Sequence, residues 1–405
     1  MALKKLLNKG TVYKRSDNRW GGMVSYHDEQ GVYRRKSFCA PTKKAVLKKI
    51  GDYIEFFKME IAEADETKKP LRKSMQKWLE VFQYGTVERA TYDRKEDCAK
   101  HYIYPRIGDM IISEITSADL NGILTQMMNE GYSHSTVKHV YSLFKEYFRY
   151  LCYEEHIPKN PMAYVRMIKK ANFLAAQGRE IIARSDAVTV LNDEEIRRLR
   201  EAVFTRNRKG ALKHQQAAAY LLMLNTGLRT GEVLGLFNSD IDLDKRELSV
   251  TRAVKEVGKR DKDGAACGTE LIVGGMKTAA SKRTIPLNSA AIEMILILRT
   301  ERYFGADSPL ISNQVGDFTR PSTFRSRWYT LLDFAGISHK GLHSLRHTFA
   351  TRLINGVEDE NGNLKTLTVR QVADLLGHTT SSVTEKYYVR REPNKLCGIT
   401  DEFEL

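Results

Sequence analysis

Cysteine is scarce and scattered in this chain. The five thiols, Cys39, Cys98, Cys152, Cys267 and Cys397, are odd in number and form no CxxC pair, which excludes a disulfide framework and a cysteine-rich zinc site and fits a reducing cytoplasm. Proline is equally thin, nine among 405 residues, so the collagen-like and proline-rich disordered classes fall away. Apolar runs such as Ala217 to Leu224 and Ile292 to Leu298 stop far short of the ~20 residues that a membrane span needs. The opening MALKKLLNKG has no apolar stretch or small-residue cleavage site behind its charges, so secretion is not expected. There is no Gly-rich nucleotide loop and no carboxylate cluster. What remains is a globular chain, long enough at roughly 150 residues per domain for two or three domains, and expected in the cytoplasm without a membrane.

Positive charge is abundant. Lys and Arg number 65 against 50 Asp and Glu, a net +15, which favours a polyanionic partner because each neutralised phosphate releases condensed counterions. The excess is front-loaded: residues 1–60 hold 14 basic and 6 acidic residues, a net +8. In that stretch GTVYKR, GGMVSY and GVYRRKSF read as three short antiparallel strands, and Thr42 to Met59 reads as a helix. Such a sheet is either a DNA-groove reader or a small fold with a solvated basic face. Glu60 to Thr67 reads as a linker. From Leu71 to Pro161 the helical period dominates, with Tyr141, Phe144, Phe148 and Leu151 as an apolar stripe, giving a bundle of about four helices. Pro158 to Val190 reads as an interdomain connector.

A third unit opens at Leu191 with Asn192 and Glu195 as a capping pair. Glu247 to Val257, Glu270 to Val273 and Ile285 to Leu287 read as strands, and helices return from Ser289. Four clusters in this unit set cations, imidazoles or a phenol beside structural punctuation. In TGLRTGE, Gly227 stops a helix and leaves Arg229 at a turn, where it is either aimed at a ligand or paired with Glu232. In MKTAASKRTIPL, Lys277 falls in a strand-flanked hairpin. In GLHSLRHTFATRL, His343 and Arg346 share a face beside the apolar stripe; His343 and His347 have zinc-pair spacing, but Ser344 stands where the HExxH pattern needs Glu. In LGHTTSSVTEKYY, Thr368 and Gln371 cap a helix that Gly377 stops, His378 falls on an exposed turn, and Ser382 with Glu385 caps a helix presenting Tyr387.

Two arginines, two histidines, a lysine and a tyrosine suit attack of a phenol on a phosphodiester. Paired guanidiniums can grip the extra charge on the nonbridging oxygens without a metal. The phenol, with a reference pKa of about 10, needs an acceptor for its proton, and the leaving sugar oxygen needs a donor such as Lys277. A tyrosyl phosphate ester keeps the bond energy for religation. No metal ligand set and no cofactor site is read from the sequence.

T-G-L-R-x-G-E, K-T-x-x-S-x-R-x-I-P-L, H-x-L-R-H-T-F-A-T and L-G-H with tyrosine nine residues later stand in this order over residues 226–388. Together they resemble the tyrosine recombinase (phage integrase) family, and the layout of the rest of the chain is similar to the longer integrases of temperate phages and conjugative transposons. The resemblance implies that Arg229 and Arg346 bind the scissile phosphate and that Lys277 is the general acid. It gives His343 and His378 proton transfer and phosphate contacts, and makes Tyr387 rather than the adjacent Tyr388 the nucleophile. It further implies a multidomain α+β chain: an arm-site DNA-binding domain over 1–66 (three-stranded sheet plus helix), a helical core-site domain over 67–165, a linker over 166–186, and a mainly α catalytic domain with a small antiparallel sheet over 187–405. The partners implied are double-stranded DNA at core and arm sites, three further copies of the chain in a homo-tetramer on DNA, and accessory DNA-bending or excision proteins. A type IB topoisomerase, a non-cleaving DNA-binding regulator and a metalloenzyme are the competing readings.

Overall fold

The computed structural model describes residues 5–7, 10–28, 32–64, 66–179, 189–261, 266–275, 282–358 and 364–378. It forms two compact units, Met1–Ile181 and Ile182–Leu405.

The first unit opens with an antiparallel sheet of β1 (Lys5–Leu6), β2 (Thr11–Lys14), β3 (Trp20–His27) and β4 (Tyr33–Ala40). The three strands read from sequence are β2, β3 and β4. The short β1 prolongs the β2 edge, since both pair β3, Leu6 opposite Tyr26 and Thr11 opposite Met23. Asn18, with φ of 62°, makes the turn between β2 and β3. The register turns Gly22 and Val24 toward helix α1 (Lys43–Ala64), where Val46 and Ile50 pack on them. A Cβ on Gly22 would lie 2.5 Å from Ile50, so only glycine lets the helix sit this close. The opposite face carries Tyr13, Tyr33 and Arg35. Arg35 Nε donates to Tyr33 Oη at 2.8 Å, and Tyr33 Oη donates to Ser25 Oγ at 3.0 Å. α1 runs through the stretch read as a linker from Glu60, because Glu60 to Ala64 holds helix formers and no breaker.

The bundle comprises α2 (Leu71–Trp78), α3 (Arg89–Cys98), α4 (Tyr104–Ile107), α5 (Ser117–Asn129) and α6 (His134–Tyr153); single π turns extend α2 and join α3 to α4. Its core holds Phe144, Phe148 and Leu151 of the expected stripe, with Tyr147, Trp78 and Met75 against them, while Tyr141 stays half-buried. The residues read as connector differ from the expectation. They contain α7 (Lys170–Ala176), whose Phe173 is fully buried edge-on against His134, and Gln177 donates to the carbonyls of Met128 and Tyr132. One buried phenylalanine among polar and basic neighbours makes no periodic signal.

The second unit runs α8 (Asp193–Phe204), α9 (Ala218–Thr226), α10 (Thr230–Leu234), β5 (Ile241–Asp242), β6 (Glu247–Val250), β7 (Arg252–Arg260), β8 (Ala266–Gly275), β9 (Arg283–Pro286), α11 (Ser289–Glu301), α12 (Pro321–Phe334), α13 (His343–Asn355), β10 (Val357–Glu358), β11 (Leu364–Lys365) and α14 (Val369–Leu376). Every residue from Ala218 to Met223 is buried, which makes α9 the central helix, packed by α11 and α13. At the entry to this unit Asn192 and Glu195 form the expected capping box. The same segment grips the neighbourhood of α13: the Leu191 N–H donates to Thr348 Oγ1 at 2.9 Å, Asp193 pairs with Arg352, and Glu195 pairs with Lys340.

β5, β6 and β9 form one antiparallel sheet and β7 with β8 a separate two-stranded ribbon, so the stretch read as one strand over Glu247 to Val257 breaks at Thr251. This corrects the hairpin expected around Lys277. β8 pairs with β7 and β9 with β6, so the two strands that flank Lys277 in sequence do not pair with each other. Both strands have β-rich sequence, and only long-range pairing tells which sheet each joins. No described helix is long and apolar enough to cross a membrane.

Candidate active site

Helix α9 ends at Gly227, whose φ of 66° is the left-handed conformation glycine adopts without strain. A Cβ there would lie 2.5 Å from the Phe349 ring of α13 and 2.9 Å from Leu376 of α14. One glycine thus stops α9 and lets α13 and α14 close around its end. Two residues on, Arg229 caps α10, and its own N–H donates to Glu232 Oε2 at 2.9 Å while Nη1 donates to Oε1 at 2.7 Å.

Glu232 is the hub. Its side chain is 2% exposed, yet it remains ionised because guanidiniums surround it. Arg283 from β9 donates Nη1 to Oε1 at 3.3 Å and Nη2 to Oε2 at 2.9 Å, and Arg346 Nη1 stands 4.0 Å from Oε2. Burial pushes the Glu232 carboxyl up, but Arg283 and Arg229 outweigh it and hold it below the ordinary range. Three cations gathered on one carboxylate leave that small volume with an excess of positive charge.

Arg346 is buried and its plane is fixed by carbonyls: Nη1 donates to Gly227 O at 2.8 Å and Nη2 to Leu376 O at 2.7 Å. Nη2 also lies 3.0 Å from His378 Nε2. A guanidinium has only donors, so Nε2 accepts and the His378 proton sits on Nδ1. His378, expected on an exposed turn, is half-buried instead, because the α14 stop at Gly377, φ 66°, turns it back toward Arg346. Burial first, then Arg346, Arg229 and Arg283, pull the His378 pKa down to about 4. His343 lies at the solvent-exposed rim, and desolvation by the surrounding protein, then Arg346 and Arg229, lowers its pKa too. His347 meets the His343 ring edge-on at 4.5 Å and is pulled down to about 4, chiefly by burial. All three imidazoles are neutral at pH ~7; the Nε2 lone pair of His378 is engaged by Arg346, so His343, at the exposed rim, is the better proton acceptor.

Of the residues singled out from sequence, Arg229, His343, Arg346 and His378 come within electrostatic reach of one another around Glu232. Lys277, Tyr387, Tyr388 and the Ser382 to Glu385 cap lie outside the described residues. Glu232, weighed from sequence only as a partner for Arg229, and Arg283, the arginine of S-x-R-x-I-P-L, are the members that sequence reasoning passes over. Both sit within the boxes, which is the signal that could find them. Among the described residues no group of three or more His, Cys, Asp or Glu is placed to hold a metal ion.

Comparison with known proteins places the chain in a family. The phage integrase family matches residues 189–395, and the phage integrase N-terminal SAM-like domain matches residues 71–128. A XerC-like tyrosine recombinase of Caldanaerobacter subterraneus subsp. tengcongensis is 29% identical over 381 residues, 91% of each chain. The integrase of Mycobacterium phage L5 is 26% identical over 80% of this chain and 76% of its own. In fold, the chain is similar to the Tn1549 transposon integrase in complex with circular intermediate DNA (TM-score 0.62, 18% identity, 82% of this chain and 99% of that one). It is also similar to the lambda integrase tetramer bound to a Holliday junction (TM-score 0.54, 17% identity, 94% and 97%). The chain belongs to the phage integrase family of tyrosine recombinases, the enzymes that cut and rejoin DNA.

Proposed function

We propose that this protein is a site-specific recombinase that integrates and excises a mobile element or prophage through a 3′-phosphotyrosine link at Tyr387. The observation that carries the reading is the cluster of Arg229, Arg283 and Arg346 on the single buried carboxylate of Glu232, flanked by neutral imidazoles. An excess of positive charge in a preorganised setting suits a phosphodiester, whose charge grows as phosphorus becomes pentavalent. Arg229, its side chain 38% exposed, meets the phosphate, and Arg346, locked by two carbonyls, supplies fixed charge from behind.

In the cleavage step the Tyr387 oxygen bonds to phosphorus and the bond from phosphorus to the 5′ oxygen breaks. The phenol proton passes to the neutral imidazole of His343, His378 serves the phosphate through its Nδ1–H, and Lys277 gives a proton to the 5′ oxygen, leaving a free hydroxyl. Attack by a 5′ hydroxyl of another strand reverses the step and rejoins DNA without an external energy source.

The domain roles belong to the same proposal. Residues 1–66 bind arm sites, the Tyr13, Tyr33 and Arg35 face of the sheet being suited to a groove. Residues 67–165, with α7 packed on them, hold core-site DNA, the chain beyond α7 to 186 connects, and 187–405 catalyse. The lambda integrase likeness, a tetramer on a Holliday junction, supports four copies of this chain acting together on duplex DNA, with accessory DNA-bending or excision proteins, in the cytoplasm.

The test is a nicked suicide substrate followed by denaturing electrophoresis and mapping of the modified tyrosine. The wild-type chain and Tyr388→Phe are expected to form a covalent adduct and Tyr387→Phe none. Adduct retained in Tyr387→Phe would move the nucleophile to another residue, and no adduct in wild type would refute the cleavage chemistry.

A further inference from the structure

We propose that Arg283 is a positioning residue for strand cleavage: its one guanidinium holds Glu232 along one side and the end of α14 along the other. It thereby ties strand β9 to the segments that present Arg229 and His378. The inference rests on the recombinase reading above.

Arg283 is 6% exposed at its side chain. Nη1 and Nη2 reach the two oxygens of Glu232, and Nε donates to Leu375 O at 2.7 Å. The last carbonyls of a helix have no partner within it. At α14 two consecutive ones, of Leu375 and Leu376, accept from Arg283 and Arg346. Immediately beyond come Gly377 and His378, so the two guanidiniums fix where His378 leaves the helix. β9 begins shortly after Lys277, so Arg283 also anchors the downstream end of the segment carrying that residue. A planar fork can serve carboxylate and carbonyl at once, whereas the single ammonium of a lysine cannot span both. Arg283 is buried, whereas the Arg229 side chain is 38% exposed and open to a ligand.

The groups that act on His378 are Arg346 and His343 from α13, Arg229 at the head of α10 and Arg283 on β9, with Glu232 behind them. Removing Arg283 takes away a cation and leaves Glu232 less compensated, and both changes raise the pKa of His378.

The experiment measures adduct formation on the suicide substrate in single turnover at saturating DNA, across pH, together with DNA affinity, for the full-length wild-type chain, Arg283→Gln and Arg283→Lys. Arg283→Gln is expected to cleave roughly ten- to a hundred-fold more slowly, the range typical of losing an orienting partner, with DNA affinity within about two-fold. Its acid limb should move to higher pH. Arg283→Lys, which keeps the charge, should fall between. A Gln variant cleaving within about three-fold of wild type, or losing rate and affinity equally with the acid limb in place, overturns the proposal. If Gln does not fold, Lys decides, and a wild-type rate and pH profile in that variant overturns it. Failure of the wild-type chain to form any adduct overturns the recombinase reading and this inference together, so the two failures are told apart.

Discussion

A buried carboxylate gripped by guanidiniums holds its charge, while the imidazoles beside it lose theirs. The same field does both: Arg283 and Arg229 keep Glu232 ionised, and Arg346, Arg229 and Arg283 add to burial in discharging His378. The consequence for stability has a definite sign. His347 and His378 titrate near 4 when folded and near 6.5 when unfolded, so between about pH 4 and about pH 6.5 the unfolded chain binds more protons. Stability contributed by the neutral rings is therefore present above that window and drains away as pH falls through it. Glu232, with a folded pKa below its unfolded one, adds a loss in the same direction at still lower pH. The urea midpoint of residues 182–405 should drop between about pH 7 and about pH 5, and a midpoint unchanged over that interval would contradict the assignment. DNA phosphate should move His378 the other way, since an anion nearby favours the imidazolium. The four boxes are legible because each candidate side chain stands next to a helix stop or start that local sequence encodes. The burial of Glu232 and Arg346 is not legible, because three residues far apart in the chain must meet before it becomes favourable.

Among the elements, α14 has a small foothold of three buried residues. It docks through Val372 and Leu376 on a cluster with Ala350, Phe349 and Leu353 that is separate from the main core of its unit. Much of its placement therefore depends on the shape of the α9 terminus. Gly227→Ala should destabilise this unit by more than the ~1–2 kcal/mol of a left-handed residue alone, because the new methyl also meets Phe349 and Leu376. Denaturant unfolding checks this, with a cost below about 1 kcal/mol counting against it. Cleavage should fall as well, since the Gly227 carbonyl holds Arg346. Helices with clear apolar periods, such as α6 and α8, are readable from sequence within a few residues. Elements set by partners elsewhere are not: β8 and β9 follow one another but join different sheets, and α7 is bound by one phenylalanine.

At the scale of the molecule, the two units keep separate cores, Leu71 to Phe173 supplying that of the bundle and Leu191 to Leu345 the main one of the second unit. Positive charge is concentrated in the first 60 residues, far along the chain from Arg229, Glu232, Arg283 and Arg346. The way the chain enters the second unit has a practical corollary for anyone dissecting the gene. Helix α8 starts at Asp193, and a fragment boundary chosen by that landmark would discard the Leu191 amide that Thr348 receives and put the Asp193 partner of Arg352 at a fraying end. A fragment opening at Glu194 should melt several degrees below one opening at Val190, although the shorter piece lacks only four residues and no part of the reaction centre. The knot that secures the helix of His343 and Arg346 is tied in what looks, on paper, like disposable leader.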